Sequence, residues 1–181
     1  MIYLGLDKRY DITHNNIFFS ADYKTNVEAI YKTMSLPEDP SFYIQNASAT
    51  DSSLAPEGKS TIYILVPVPN LKASIDWEKE KDKYRELVLS LVEKRTELKD
   101  IRQHIEVEKV ITPLDWQKQA NVFAGAVFNL AHSLGQMLYL RPRNKLEGYE
   151  NLYVVGGGTH PGSGLPTIVE SGRIVARLIN Q

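Results

Sequence analysis

Asn151-Leu-Tyr-Val-Val-Gly-Gly-Gly-Thr-His-Pro-Gly-Ser-Gly-Leu-Pro-Thr-Ile-Val-Glu-Ser-Gly-Arg173 is the stretch on which the reading of this chain turns. Leu152-Tyr-Val-Val155 has the compact apolar character of a buried strand, and Thr167–Ile179 carries Ile168, Val175, Leu178 and Ile179 as a helix would. Between strand and helix, five glycines and two prolines fall within eleven residues. Glycines after a strand let backbone come close to a flat or charged ligand, and the start of the next helix offers free N–H groups and a positive dipole end. The turn is not a G-x-G-x-x-G fingerprint, because the last position counted from Gly156 is Pro161, and it lacks the Gly-Lys-Ser/Thr of a phosphate loop. A tight turn that merely needs glycine is the plain alternative; the density of Gly and Pro favours a ligand.

Working outward, Asn16–Ser20 predicts a short strand, and Asp22–Met34 a helix with Val27, Ile30, Tyr31 and Met34 on one side. Leu36-Pro-Glu-Asp-Pro40 ends that helix, Ser41–Gln45 and Thr61–Val68 read as strands, and the polar Ala49–Gly58 joins them as a loop. The clearest helix runs from about Asp76 to Lys94, with Tyr84, Leu87, Val88, Leu91 and Val92 on one face. Its alternating Lys and Glu form a solvated face. Ile105–Ile111 suggests a strand, and Thr112-Pro-Leu-Asp115 starts a helix: a capping Thr, Pro at the first position and an acid in the first turn. Phe123–Leu138 predicts a second, largely apolar helix, interrupted by Gly125 and Gly135. The fold class is therefore mixed α/β.

With 181 residues the chain can bury a real core, and its 43% hydrophobic and 24% charged content is ordinary for a globular protein. A net charge of −1 gives no broad pull toward nucleic acid. The absence of cysteine removes disulfides, thiolate metal sites and cysteine nucleophiles, and fits a reducing cytoplasm. No apolar run reaches the roughly 18 residues of a spanning helix. No His or carboxylate pair has metal-ligand spacing, so no metal is expected. Glu170 and Arg173 are spaced for a surface pair on the last helix.

The glycine-rich block resembles the C-terminal signature of bacterial-type phytoene (carotenoid) desaturases. Further blocks stand in the family's order: Ala47–Gly58, Leu65-Val-Pro-Val-Pro-Asn70, Ile111-Thr-Pro-Leu-Asp-Trp116, Gly125–His132 and Gln136-Met-Leu-Tyr-Leu-Arg-Pro142. The resemblance covers essentially the whole chain and implies only the C-terminal portion of such an enzyme, since no dinucleotide fingerprint lies at the N-terminus. It implies an FAD-dependent oxidoreductase in which residues 1–140 form part of a mixed-sheet substrate domain. Residues 141–181 would be the last strand and helix of a Rossmann-like FAD-binding domain. The implied reaction removes a hydride and a proton from adjacent saturated carbons of a carotenoid such as phytoene, with flavin taking the hydride. Peripheral contact with the cytoplasmic membrane face follows from the substrate class.

On that resemblance, Gly156, Gly157, Gly158 and Thr159 approach the cofactor's pyrophosphate and ribityl chain. Thr167 and Ile168, opening the last helix, then present backbone N–H groups to the negative charge of the reduced flavin, with Gly164, Leu165 and Pro166 beside them in the cofactor-binding stretch. His160 is a candidate base beside the flavin, or a residue that orients the turn by hydrogen bonding. Phe128, His132 and Met137 are candidate walls of a polyene channel, with ordinary core as the alternative. Two other readings stay open. One is a related flavin oxidase acting on a carotenoid or an amine, against which Thr159–Pro166 lacks the aromatic frame usual in amine oxidases. The other is an inactive truncated lobe that folds and self-associates through an unpaired strand edge.

Overall fold

The computed structural model describes residues 1–128 and 130–180, which divide into two compact units, Met1–Gly125 and Ala126–Gln181. The first is built on a five-stranded antiparallel sheet of order β2-β3-β4-β1-β5: β1 Ile2–Leu6, β2 Asn15–Phe18, β3 Phe42–Asn46, β4 Ser60–Leu65 and β5 Ile105–Val110. Four of these lie within a few residues of where the sequence places strands. β4 stops at Leu65, ahead of Pro67 and Pro69, which have no N–H to give a ladder.

β1 has no counterpart in the sequence reading, yet it occupies a place between β4 and β5, with Leu4 opposite Ile62 on one side and Glu108 on the other. Ile2, Leu4 and Leu6 alternate inward with Phe42, Ile44, Ile62 and Ile64, all buried. Against this face lies the helix Trp77–Arg95, which, with α1 at Tyr23–Glu28 before it, is α2. It inserts Tyr84, Val88, Leu89 and Val92, with Leu98 and Ile101 closing the core. Burying each large aliphatic side chain here is worth about 1.5–3 kcal/mol. Leu87 and Leu91, assigned by spacing to the inner face, are only partly buried, while Leu89 is fully enclosed.

The helix expected over 22–34 is half realised. α1 is capped by Asp22, which accepts from the Thr25 N–H at 3.0 Å, and the chain then widens into a π turn at Ala29–Thr33. Thr112 starts α3, Pro113–Ala120, through the capping box its sequence announces: Asp115 N–H donates to Thr112 Oγ1 at 3.3 Å and Thr112 N–H to Asp115 Oδ2 at 2.8 Å. An ionic cluster ties the β1–β2 connection to the segment before β5. Asp100 accepts from Lys8, from Tyr10 Oη at 2.6 Å and from His104 Nε2 at 3.2 Å.

The apolar helix expected over Phe123–Leu138 does not form. Short 3-10 turns stand at Phe123–Gly125, Leu134–Gln136 and Leu138–Leu140. The cause is backbone and burial together. Ala124 and Gly125 both take positive φ, and a Cβ at Gly125 would collide with the Pro113 carbonyl, so this position is fitted to glycine. The apolar side chains also lack a surface to cover: Leu134 is 90% exposed. The expected buried strand Leu152–Val155 is likewise reduced, to a single antiparallel bridge between Lys145 and Tyr153, with Leu152 and Val155 exposed. Among the described residues it has no further strand to ladder with. The second unit ends in α4, Leu165–Ile179, starting two residues before its expected position with Pro166 in its first turn. Ala126–Leu140, grouped by sequence with the first lobe, falls in the same compact unit as the glycine turn.

Candidate functional site

The glycine turn is held in place from beneath by side chains that anchor it to its own flanks. Arg141, only 2% exposed, spreads its guanidinium over three main-chain carbonyls: Nε donates to Thr159 O at 3.0 Å, Nη1 to Gln136 O at 3.0 Å, and Nη2 to Gly157 O. No carboxylate forms an ion pair with it among the described residues, so backbone dipoles alone balance its charge. Asn144, also buried, donates from Nδ2 to Val154 O at 3.1 Å, Thr159 Oγ1 at 3.2 Å and Ser171 Oγ at 2.9 Å. Ser171 sits on the inner face of α4 and accepts the Gly156 N–H at 3.3 Å; Thr159 Oγ1 donates to Gly156 O at 3.0 Å. Bridge strand, turn and helix are thus bound into one network.

This network decides which groups the turn offers outward. The carbonyls of Gly156, Gly157 and Thr159 are spent inward, and the N–H of His160 donates to Pro142 O at 2.8 Å. The N–H groups of Gly157, Gly158, Leu165 and Thr167 have no partner among the described residues. Ile168 differs from its neighbour: its N–H is taken by Gly164 O at 2.9 Å, leaving Thr167 as the free donor of that pair. Gly164, at φ +101°, caps α4 without a side chain that could occupy the first-turn amides. The turn thus offers these unpartnered donors beside the carbonyls of Gly158, His160, Pro161 and Gly162, which likewise have no partner among the described residues. Those donors suit a ligand rich in acceptor oxygens and negative charge, as FAD is.

The sequence candidates take unequal places in this arrangement. Gly156–Thr159 and Gly164–Ile168 make up the turn and helix start as expected, with Thr159 buried and Leu165 exposed. His132 reaches the turn from outside any helix: its Nε2 lies 3.1 Å from Ser163 Oγ. His160 enters the network through its backbone N–H, while its imidazole makes no hydrogen bond among the described residues. Phe128 is exposed and Met137 half-buried, and with no helix there they share no common helical face. Arg141, Asn144 and Ser171 were not legible as site residues. Nothing in their spacing marks them; only the fold brings partners 10 to 27 residues apart into contact.

No protein-family model matches the chain. A 4,4'-diapophytoene desaturase (4,4'-diapolycopene-forming) of a Methylomonas species is 55% identical over all of the chain and 35% of the relative's own length. An all-trans-zeta-carotene desaturase of Myxococcus xanthus is 46% identical, covering 97% of the chain and 34% of that enzyme. A lycopene-forming phytoene desaturase of Pantoea ananas is 35% identical, covering 99% of the chain and 37% of that enzyme. The chain spans about a third of the length of these curated relatives. Over its whole length the chain is thus similar to a segment, about a third, of these carotenoid desaturases.

Proposed function

We propose that this chain is the C-terminal part of an FAD-dependent carotenoid desaturase and that Gly156–Thr167 is its closing contact with the flavin. The observation that carries the reading is the glycine turn itself, where Arg141 and Thr159 hold the carbonyls of Gly156, Gly157 and Thr159 while the amides of Gly157, Gly158, Leu165 and Thr167 have no partner among the described residues. The amides of Gly157 and Gly158 would hold the pyrophosphate and ribityl portion, and the Thr167 amide, at the positive end of α4, the flavin ring. FAD, when bound, supplies the acceptor for the hydride removed from the polyene. The chain's own residues bind, orient and stabilise negative charge. Residues 1–140 would contribute to the substrate part and 141–181 to the FAD part, with Ala126–Leu140 lying in the same compact unit as the latter.

The substrate class is a carotenoid precursor of the phytoene or 4,4'-diapophytoene kind, supported by what the relatives' names say they act on. Such a substrate dissolves in membranes, which supports peripheral contact of the enzyme with the cytoplasmic membrane face; no helix among the described residues is long and apolar enough to cross a bilayer. The exposed Leu152 and Val155 support self-association when the chain stands alone. The test is the visible flavin absorbance of the purified polypeptide carrying this segment, with Gly158→Val and Leu165→Trp beside it. Bound FAD in the parent and reduced FAD content in both variants is the expected result. A normal FAD content in both variants would overturn the placement.

A further inference from the structure

We infer that Arg141 is a positioning residue of the flavin turn, aiming the Gly158 N–H at the cofactor by pinning the peptide that carries it. The inference rests on the cofactor reading above. In a trans peptide the N–H points opposite to the carbonyl of the same unit. The 157–158 peptide is trans, and its carbonyl is the one bonded by Arg141 Nη2. With that oxygen drawn toward the buried guanidinium, the Gly158 N–H faces the other way, where it has no partner among the described residues.

The guanidinium is suited to this task where an ammonium is not. Its planar fork reaches the Gly157, Thr159 and Gln136 carbonyls at once, fixing two peptides of the turn against the Leu134–Gln136 turn. Lysine would keep the charge but present a single point donor. The two substitutions Arg141→Lys and Arg141→Gln therefore separate charge from geometry. Arg141 is 2% exposed and carries no carboxylate partner among the described residues, so it also leaves a positive charge beneath a face proposed to receive an anion.

The experiment is an FAD titration of the purified polypeptide carrying this segment, alongside amide exchange at Thr159 and His160. The N–H groups of those two residues bond Gly156 O at 3.2 Å and Pro142 O at 2.8 Å. Both variants are expected to weaken FAD binding at least about tenfold and to speed exchange at Thr159 and His160, while the α4 amides keep their protection. Affinity restored to within about twofold by lysine would show that charge alone matters and would overturn the inference. So would unchanged affinity in both variants, or loss of α4 protection in both, which would make the role purely structural. A parent protein that binds no FAD overturns the cofactor reading itself; a parent that binds it while both variants bind equally well overturns only the role of Arg141.

Discussion

Asn144→Ala removes the central donor of the turn network, and its cost follows from the contacts. Nδ2 carries two hydrogens and faces three acceptors: Val154 O at 3.1 Å, Thr159 Oγ1 at 3.2 Å and Ser171 Oγ at 2.9 Å. The two hydroxyls already bond each other at 3.1 Å and keep that bond once the amide is gone, while the Val154 carbonyl is left short of a donor. Two net hydrogen bonds at about 1 kcal/mol each give an expected loss of about 2 kcal/mol in the local stability of the turn. That corresponds to about 30-fold faster exchange of the Gly156 N–H, which bonds Ser171 at the heart of the network. Asn144→Asp is expected to cost more near neutral pH, because its carboxylate sets an acceptor against the Val154 carbonyl. The assay is hydrogen exchange followed by NMR. Acceleration of less than about threefold at Gly156 would refute the reasoning, since it would mean the buried amide contributes little of what its contacts imply.

Leu89→Ala, at a fully buried position of α2, should lower unfolding stability by about 2–5 kcal/mol in urea melts, whereas Leu87→Ala, only partly buried, should cost clearly less. Gly125→Ala should destabilise by more than 1 kcal/mol, roughly the cost of a strained φ, because a Cβ there meets the Pro113 carbonyl and φ is +62°. Thr112→Ala should cost about 1 kcal/mol through loss of the capping box, measured in the same melts. Asp100 is held well below the usual carboxylate range, first by the hydrogen bond from Lys8 and then by that from Tyr10. A lowered folded-state value means that its stabilisation is present above about pH 4 and is lost as the pH falls further, so acid unfolding of Asp100→Asn should be less steep than that of the parent.

The first lobe was largely legible because its periodicities are honest. β3 and β4 alternate apolar residues toward one face, and α2 buries Tyr84, Val88 and Val92 as its spacing predicts, although Leu89 takes the enclosed place that the spacing gives to Leu87 and Leu91. β1 escaped notice although Ile2, Leu4 and Leu6 alternate cleanly, because Tyr3 and Gly5 between them blur the contrast: one apolar in part, the other a poor strand former. In the second unit, Phe123–Leu138 has the apolar content of a helix, but content fixes neither backbone conformation nor a partner surface, and positive φ at Ala124 and Gly125 breaks the run. The glycine turn was legible as the break between the bridge at Tyr153 and α4. The polar lock beneath it was not, since Arg141, Asn144 and Ser171 are ordinary in composition and become a unit only through contacts across the chain.

The most direct test of the account is product analysis in a host that accumulates phytoene or 4,4'-diapophytoene and has no desaturase of its own, expressing the polypeptide that carries this segment. On the proposed function, polyenes with more conjugated double bonds than the precursor are expected, and their loss when Arg141, Gly158 or Asn144 is replaced at equal protein level. A flavin-loaded protein that leaves both precursors unchanged would contradict it.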